Sequence, residues 1–389
     1  MNRMIALDML RGYALLSIMV NHMPASVMRG VTLPNFSIFD ASELFVLLSG
    51  FLVGMVWLSV ERREGQRAAQ WRFARRAFEV WRALIITGVL MALLSAGLLA
   101  TGMRHTAIWN QYAVWVIENP LGYVGSLASL WLQPNIVDVL AVYVVLLAVT
   151  PVVVPLMLRW PLIVAVALVA IWWHGPELNS LLPNHRRQGG LLFNPFGWQL
   201  LFFSGVAMGL FRDRIMATLL PRRHLVTALA LGMFAFGCAI VIAARIGEPA
   251  LAIRQAMRLV YGSIDKWSLD GTRYLAIIAA TWLVVVPLGP LMARIAASPP
   301  GVWMQQIGRG GLWSFGACVL LSVLCDALQI NPAGQSRAAR LAVDLWACVA
   351  LWWLSILWLR HGDPWRRARK ARRKLRRSVA RGDAPAGMV

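Results

Sequence analysis

Apolar residues run along this chain in long blocks, and most polar residues fall between them. A helix of ~20 apolar residues crosses a bilayer. The blocks predict ten such helices, at 5–24, 40–60, 79–101, 136–157, 160–174, 194–211, 224–244, 273–295, 312–330 and 340–359. The fifth is short. Segment 108–132 is apolar but broken by Glu118, Asn119 and Pro120, which predicts an interfacial or re-entrant stretch rather than a full span. The fold class expected is all-α, a polytopic membrane protein with about ten transmembrane helices. One membrane domain covers 1–360, and a basic tail covers 361–389.

Composition agrees with that pattern. The chain is 59% hydrophobic and only 14% charged, which excludes an ordinary soluble domain. A net charge of +21 would suit nucleic acid, but the basic residues sit in particular loops and in the tail, where topology explains them. No nucleic-acid partner is expected. One set of loops holds Arg62, Arg63, Arg67, Arg72, Arg75 and Arg76, then Arg159, then Arg212, Arg214, Arg222 and Arg223. The Lys/Arg-dense tail between 366 and 381 lies on the same side, so both termini are expected in the cytoplasm. The opposite loops hold fewer basic residues, among them Arg29, Arg186, Arg187, Arg245, Arg254, Arg258 and Lys266. Loop 245–272 is basic for an outer loop; it marks either an anionic ligand or a span count off by one. The tail is expected to touch anionic lipid. The first block is interrupted by Asp8 and Arg11 and lacks a small-residue cleavage site, so it is expected to be a retained helix. Cys238, Cys318, Cys325 and Cys348 lie in apolar runs without metal-ligand spacing, and no metal site is expected.

Against this background, Arg11 and His22 stand out inside the first block. Titratable side chains within a span cost free energy and mark functional sites. Eleven residues make about three helical turns, so both leave one face, roughly 16 Å apart along the axis. Asp8 joins that face, and an Asp8–Arg11 ion pair is compatible with a ligand role for Arg11. With the N-terminus inside, His22 reaches the outer level. Asp40 and Glu43 share that level, as do Asp138 at the mouth of the fourth span, Asn194 and Gln199 on the sixth, and Lys266 and Arg273 at the eighth. An imidazole beside a carboxylate is suited to general base work on a hydroxyl; the plainer reading is a histidine reaching the interface. Arg72, Arg75, Arg76 and Arg82 lead into the third span on the inner side. They serve as topology signals and also suit phosphate groups. Gly50 and Gly54 form a GxxxG pattern that predicts close helix packing.

These residues carry a resemblance. LDMLRGYALLSIMVNH at 7–22 and FDASELFVLLSGFLVG at 39–54 resemble the acyltransferase-3 superfamily, and most closely its OpgC branch. VDVLAVYVVLL at 137–147, FNPFGWQLLFFSGVAMG at 193–209 and DKWSLDGTRYLAIIA at 265–279 extend it. The chain departs at IGRGGLWSFG, where Gly310 and Gly311 replace the His-Ser pair of related chains. The resemblance implies a transmembrane acyltransferase domain over 1–360, with His22 catalytic and Arg11 its functional partner. Glu43, Asp138 and Arg273 would bind the acceptor or position His22. The implied donor is acyl-CoA, succinyl-CoA in this branch, with no permanently bound cofactor. The implied acceptor is a hydroxyl of a periplasmic glucan. The rival class is a transporter or flippase for a glycan or organic anion, with Asp8 and Arg11 as gating or coupling groups.

Overall fold

The computed structural model describes residues 5–182, 190–243, 264–331 and 336–362. Arg186, Arg187, Arg245, Arg254, Arg258 and the basic run of the tail lie outside the described residues, as does the 361–389 tail from residue 363 on. Among the described residues there is no strand. The helices are α1 Ile5–Asn21, α2 Ala41–Glu64, α3 Gln66–Ala100, α4 Gln111–Glu118, α5 Pro120–Ala128, α6 Asp138–Arg159, α7 Pro161–Trp173 and α8 Gly175–Ser180. They continue with α9 Pro195–Leu210, α10 Arg212–Leu219, α11 Arg223–Ala243, α12 Gly271–Val285, α13 Gly289–Ala297, α14 Pro299–Gly310, α15 Leu312–Ile330 and α16 Arg337–Leu357.

Six of these runs are long and apolar enough to cross a membrane: α2, α3, α6, the run 212–242, α15, and 337–362 that includes α16. A seventh arises if α12 and α13 form one span. The expected count of about ten is therefore not reached by length and composition. Helices do occupy the three remaining places, but α1 has 17 residues, α7 has 13 and α9 has 16. The expected continuous helix at 273–295 is bent by 73° between α12 and α13. Pro287, Gly289 and Pro290 explain the bend, since each proline removes an N–H donor and its ring crowds the preceding turn. Segment 108–132 divides at Asn119, which caps α5 by accepting from the Gly122 N–H at 2.9 Å.

The centre of the bundle is α2, which packs on α1, α3, α6 and α9. Its contact with α9 is backbone on backbone. A Cβ at Gly50 or Gly54 would strike the carbonyl of Phe202 or Val206, and one at Gly205 or Gly209 would strike that of Leu47 or Phe51. The GxxxG pattern thus meets a second small-residue pair on its partner. Helix α1 makes a similar contact with α14, where Gly12 faces the Met304 carbonyl and Gly308 the Asp8 carbonyl. The sequence pattern did not foresee α14, which is short and follows a Ser-Pro-Pro start. It ends at Gly310, and Gly311 has φ +61°, a conformation that favours glycine. Gly310 and Gly311 thus form the junction between α14 and α15.

One repair shows how the bundle tolerates proline. Pro155 inside α6 has no N–H to give the Pro151 carbonyl four residues back. The Gln70 amide of α3 donates to that carbonyl instead, at 3.0 Å.

Candidate functional site

His22 ends the last turn of α1, its N–H donating to the Ile18 and Met19 carbonyls at 3.2 and 3.3 Å. The chain beyond it is held from outside. The buried Asp344 carboxylate of α16 accepts the N–H groups of Val27 and Met28 at 2.9 and 3.0 Å, and the Gln329 amide at 2.7 Å. The Thr32 hydroxyl donates to Asn21 at 2.7 Å, and the Ser322 hydroxyl to the Met19 carbonyl at 3.3 Å. The ring of His22 lies in the field of Lys266, Asp40 and Arg29.

The start of α2 supplies the acids. Asp40 is its N-cap, accepting from the Ser42 N–H at 2.8 Å, while Glu43 Oε2 accepts the Asp40 N–H at 3.0 Å. This reciprocal pair is a capping box, which the Asp-x-x-Glu order encodes locally. The remaining carboxylate oxygens reach across the fold. Glu43 is fully buried, and its Oε1 accepts from Arg273 Nε at 2.7 Å and from Arg273 Nη2. Asp40 Oδ2 accepts from Lys266 Nζ at 2.6 Å, with Arg273 Nη2 at 3.9 Å. Two carboxylates and two cations therefore form a closed, neutral set. Burial alone would lower the Lys266 pKa, but the Asp40 and Glu43 carboxylates overcome it and hold it above the usual lysine value. Lys266 stays charged.

Segment 264–270 is built to present that lysine. Asp265 accepts the N–H groups of Trp267 and Ser268, both at 2.9 Å. The Trp267 carbonyl accepts the Asn194 N–H at 2.9 Å and the Trp198 indole at 3.0 Å. Asp270 caps α12 through the Thr272 N–H at 2.7 Å, setting Arg273 one turn into the helix.

Of the residues expected at one level, Asp40, Glu43, Lys266 and Arg273 are joined by ion pairs and hydrogen bonds. The expectation of a carboxylate orienting the imidazole is not met. Both Glu43 oxygens and both Asp40 oxygens are taken by other donors, and among the described residues His22 has no hydrogen bond to a carboxylate. Asp138 is buried and accepts the Val139 N–H at 2.9 Å. Asn194 caps α9, accepting from the Phe196 and Gly197 N–H groups. Gln199 ties α9 to α7, donating to the Leu168 carbonyl at 2.7 Å. Arg11 lies 4.0 Å from Asp8. On α3, Arg75 and Arg76 meet Glu79 at 3.6 and 3.0 Å, Arg72 is exposed, and the exposed Arg82 stacks over the Phe78 ring at 5.7 Å. Asp344 was missed, although a buried acid in the expected span 340–359 is the same anomaly that singled out Arg11.

The site is an all-helical membrane protein's polar cluster, closed by long-range ion pairs around the end of its first helix. The family model described as OpgC protein matches residues 3–361, nearly the whole chain, and the chain belongs to the OpgC family. Membership points to a role in modifying osmoregulated periplasmic glucans. A comparison with curated proteins finds no match.

Proposed function

We propose that the chain is a membrane O-acyltransferase of the bacterial inner membrane. It moves an acyl group, succinyl by the family's association, from cytoplasmic acyl-CoA to a hydroxyl of a periplasmic glucan. Both termini lie in the cytoplasm. The observation that carries this reading is the ion-paired cluster of Asp40 with Lys266 and Glu43 with Arg273 at the start of α2, whose Lys266 and Asp40 charges act on His22 at the end of α1.

In the reaction, His22 takes the proton of the sugar hydroxyl as its oxygen attacks the thioester carbonyl. A C–O bond forms and the C–S bond breaks. The imidazolium then returns the proton to the departing CoA thiolate. Charge develops on the carbonyl oxygen in between, and the Lys266 ammonium, held beside Asp40, is the cation that would stabilise it. Glu43 and Arg273 act as positioning residues by fixing the start of α2 and of α12. Asp138, Asn194 and Gln199 line the acceptor side, and Arg11 meets the donor arm roughly 16 Å below.

The test is incubation of membranes with radiolabelled succinyl-CoA and purified glucan. Wild-type membranes should label the sugar covalently, and His22→Ala should reduce labelling ~100-fold or more. Glucan that crosses the membrane without becoming labelled would favour the transporter reading. Full labelling by His22→Ala would remove His22 from the chemistry.

A further inference from the structure

At the end of α2 opposite Glu43, a cavity of about 640 Å³ opens between the last turns of α2, α6 and α9 and the first turn of α10. Arg62, Arg63, Arg212 and Arg214 line it, with Asp213 as the acid among them. Its apolar wall includes Met55, Leu158 and Phe211. The volume falls within the ~300–1,000 Å³ of small-molecule sites. The packing of α2 on α9 brings the arginines together, since Arg62 and Arg63 lie just before the Gly65 end of α2 and Arg212 and Arg214 just after the break at Phe211 between α9 and α10. The N-terminal end of α10 adds its own partial positive charge. Topology signalling alone requires basic residues on this side but no cavity. The arginines of α3 illustrate that simpler case, since Arg75 and Arg76 meet Glu79.

We infer that this cavity seats the phosphate-bearing nucleotide end of coenzyme A, rather than the Arg72–Arg82 face of α3. The inference rests on the acyl-CoA reading above. Guanidinium groups bind phosphate through paired N–H donors, and four of them suit a ligand with a diphosphate and a separate 3′-phosphate. The apolar wall suits the adenine ring. Met55 lies twelve residues along α2 from Glu43, roughly 18 Å, a span comparable with an extended pantetheine arm. The cavity thus faces the phosphates and leaves the thioester to reach toward His22.

The experiment is equilibrium binding of radiolabelled CoA to the full-length protein in phosphatidylcholine nanodiscs. Wild type should bind. Arg62→Gln/Arg63→Gln and Arg212→Gln/Arg214→Gln should each weaken binding about tenfold or more. Arg222→Gln/Arg223→Gln, basic but outside the cavity, should match wild type. Unchanged thermal midpoints, together with better retention of binding by Arg62→Lys/Arg63→Lys, separate lost charge from lost fold. Equal binding by wild type and both cavity variants overturns the inference while leaving the donor intact. Loss in Arg72→Gln/Arg75→Gln with retention in the cavity variants overturns it in favour of α3. If the cavity variants lose fluorescent phosphatidylglycerol instead of CoA, the seat is a lipid headgroup site and the inference fails. A wild type that binds no CoA at all overturns the acyl-CoA reading itself.

Discussion

The two ends of α2 handle charge in opposite ways. At the Asp40–Glu43 end, carboxylates and cations are matched one for one, Glu43 is fully buried, and each carboxylate oxygen has a donor. At the Arg62–Arg63 end, guanidinium groups gather around an open cavity with one acid among them. The first arrangement is satisfied by the fold itself. The second is positive on balance and open to an anion from outside. Burial therefore separates a cluster that holds the protein together from one suited to something that comes and goes.

The largest expected effect breaks the closed end. Arg273→Met leaves Glu43 buried without its cation, and should cost about 3–5 kcal/mol of stability, seen as a lowered thermal midpoint in detergent. Glu43→Gln combined with Arg273→Met should recover much of that loss. Next, Asp344→Asn keeps the shape but weakens the hold on the Val27 and Met28 N–H groups. It should cost about 1–3 kcal/mol and reduce glucan labelling more than CoA binding. A smaller effect concerns pH. The Lys266 pKa is raised by folding, so its contribution is complete below the ordinary lysine value near 10.5 and is lost as pH rises through the folded value. Lys266→Met should therefore lie below wild type in thermal midpoint at pH 8, and the gap should close in the alkaline range above the ordinary lysine value. The smallest effect belongs to the open end. Arg212→Gln should change stability by less than about 0.5 kcal/mol, and a loss comparable with Arg273→Met would erase the contrast between the ends.

How much of this the sequence disclosed depended on range. Helix positions followed from apolar blocks, and the Gly50–Gly54 pattern announced its contact. Asp40 and Glu43 read only as partners of His22, although their spacing also encodes the capping box they form. Their actual partners lie more than 200 residues away, Lys266 and Arg273, and only the assembled topology selects among cations at the same level. The bend after α12 was written in Pro287, Gly289 and Pro290 but is hidden when a block is judged by hydropathy alone. Helix α14 was hidden for a related reason, because its polar residues and prolines dilute the apolar signal that marks a span. The donor for the Pro151 carbonyl had no local signal at all. A proline predicts that a carbonyl is freed but does not say which side chain will answer it.

The glycine seam between α2 and α9 carries a consequence for traffic through the bundle. With main chains touching at Gly50, Gly54, Gly205 and Gly209, no acyl chain, sugar ring or pantetheine arm fits between these two helices. The seam runs from the level of the ionic cluster toward the arginine cavity, like a wall. Any molecule that passes from the cavity toward that cluster must follow another flank of α2, beside α1, α3 or α6.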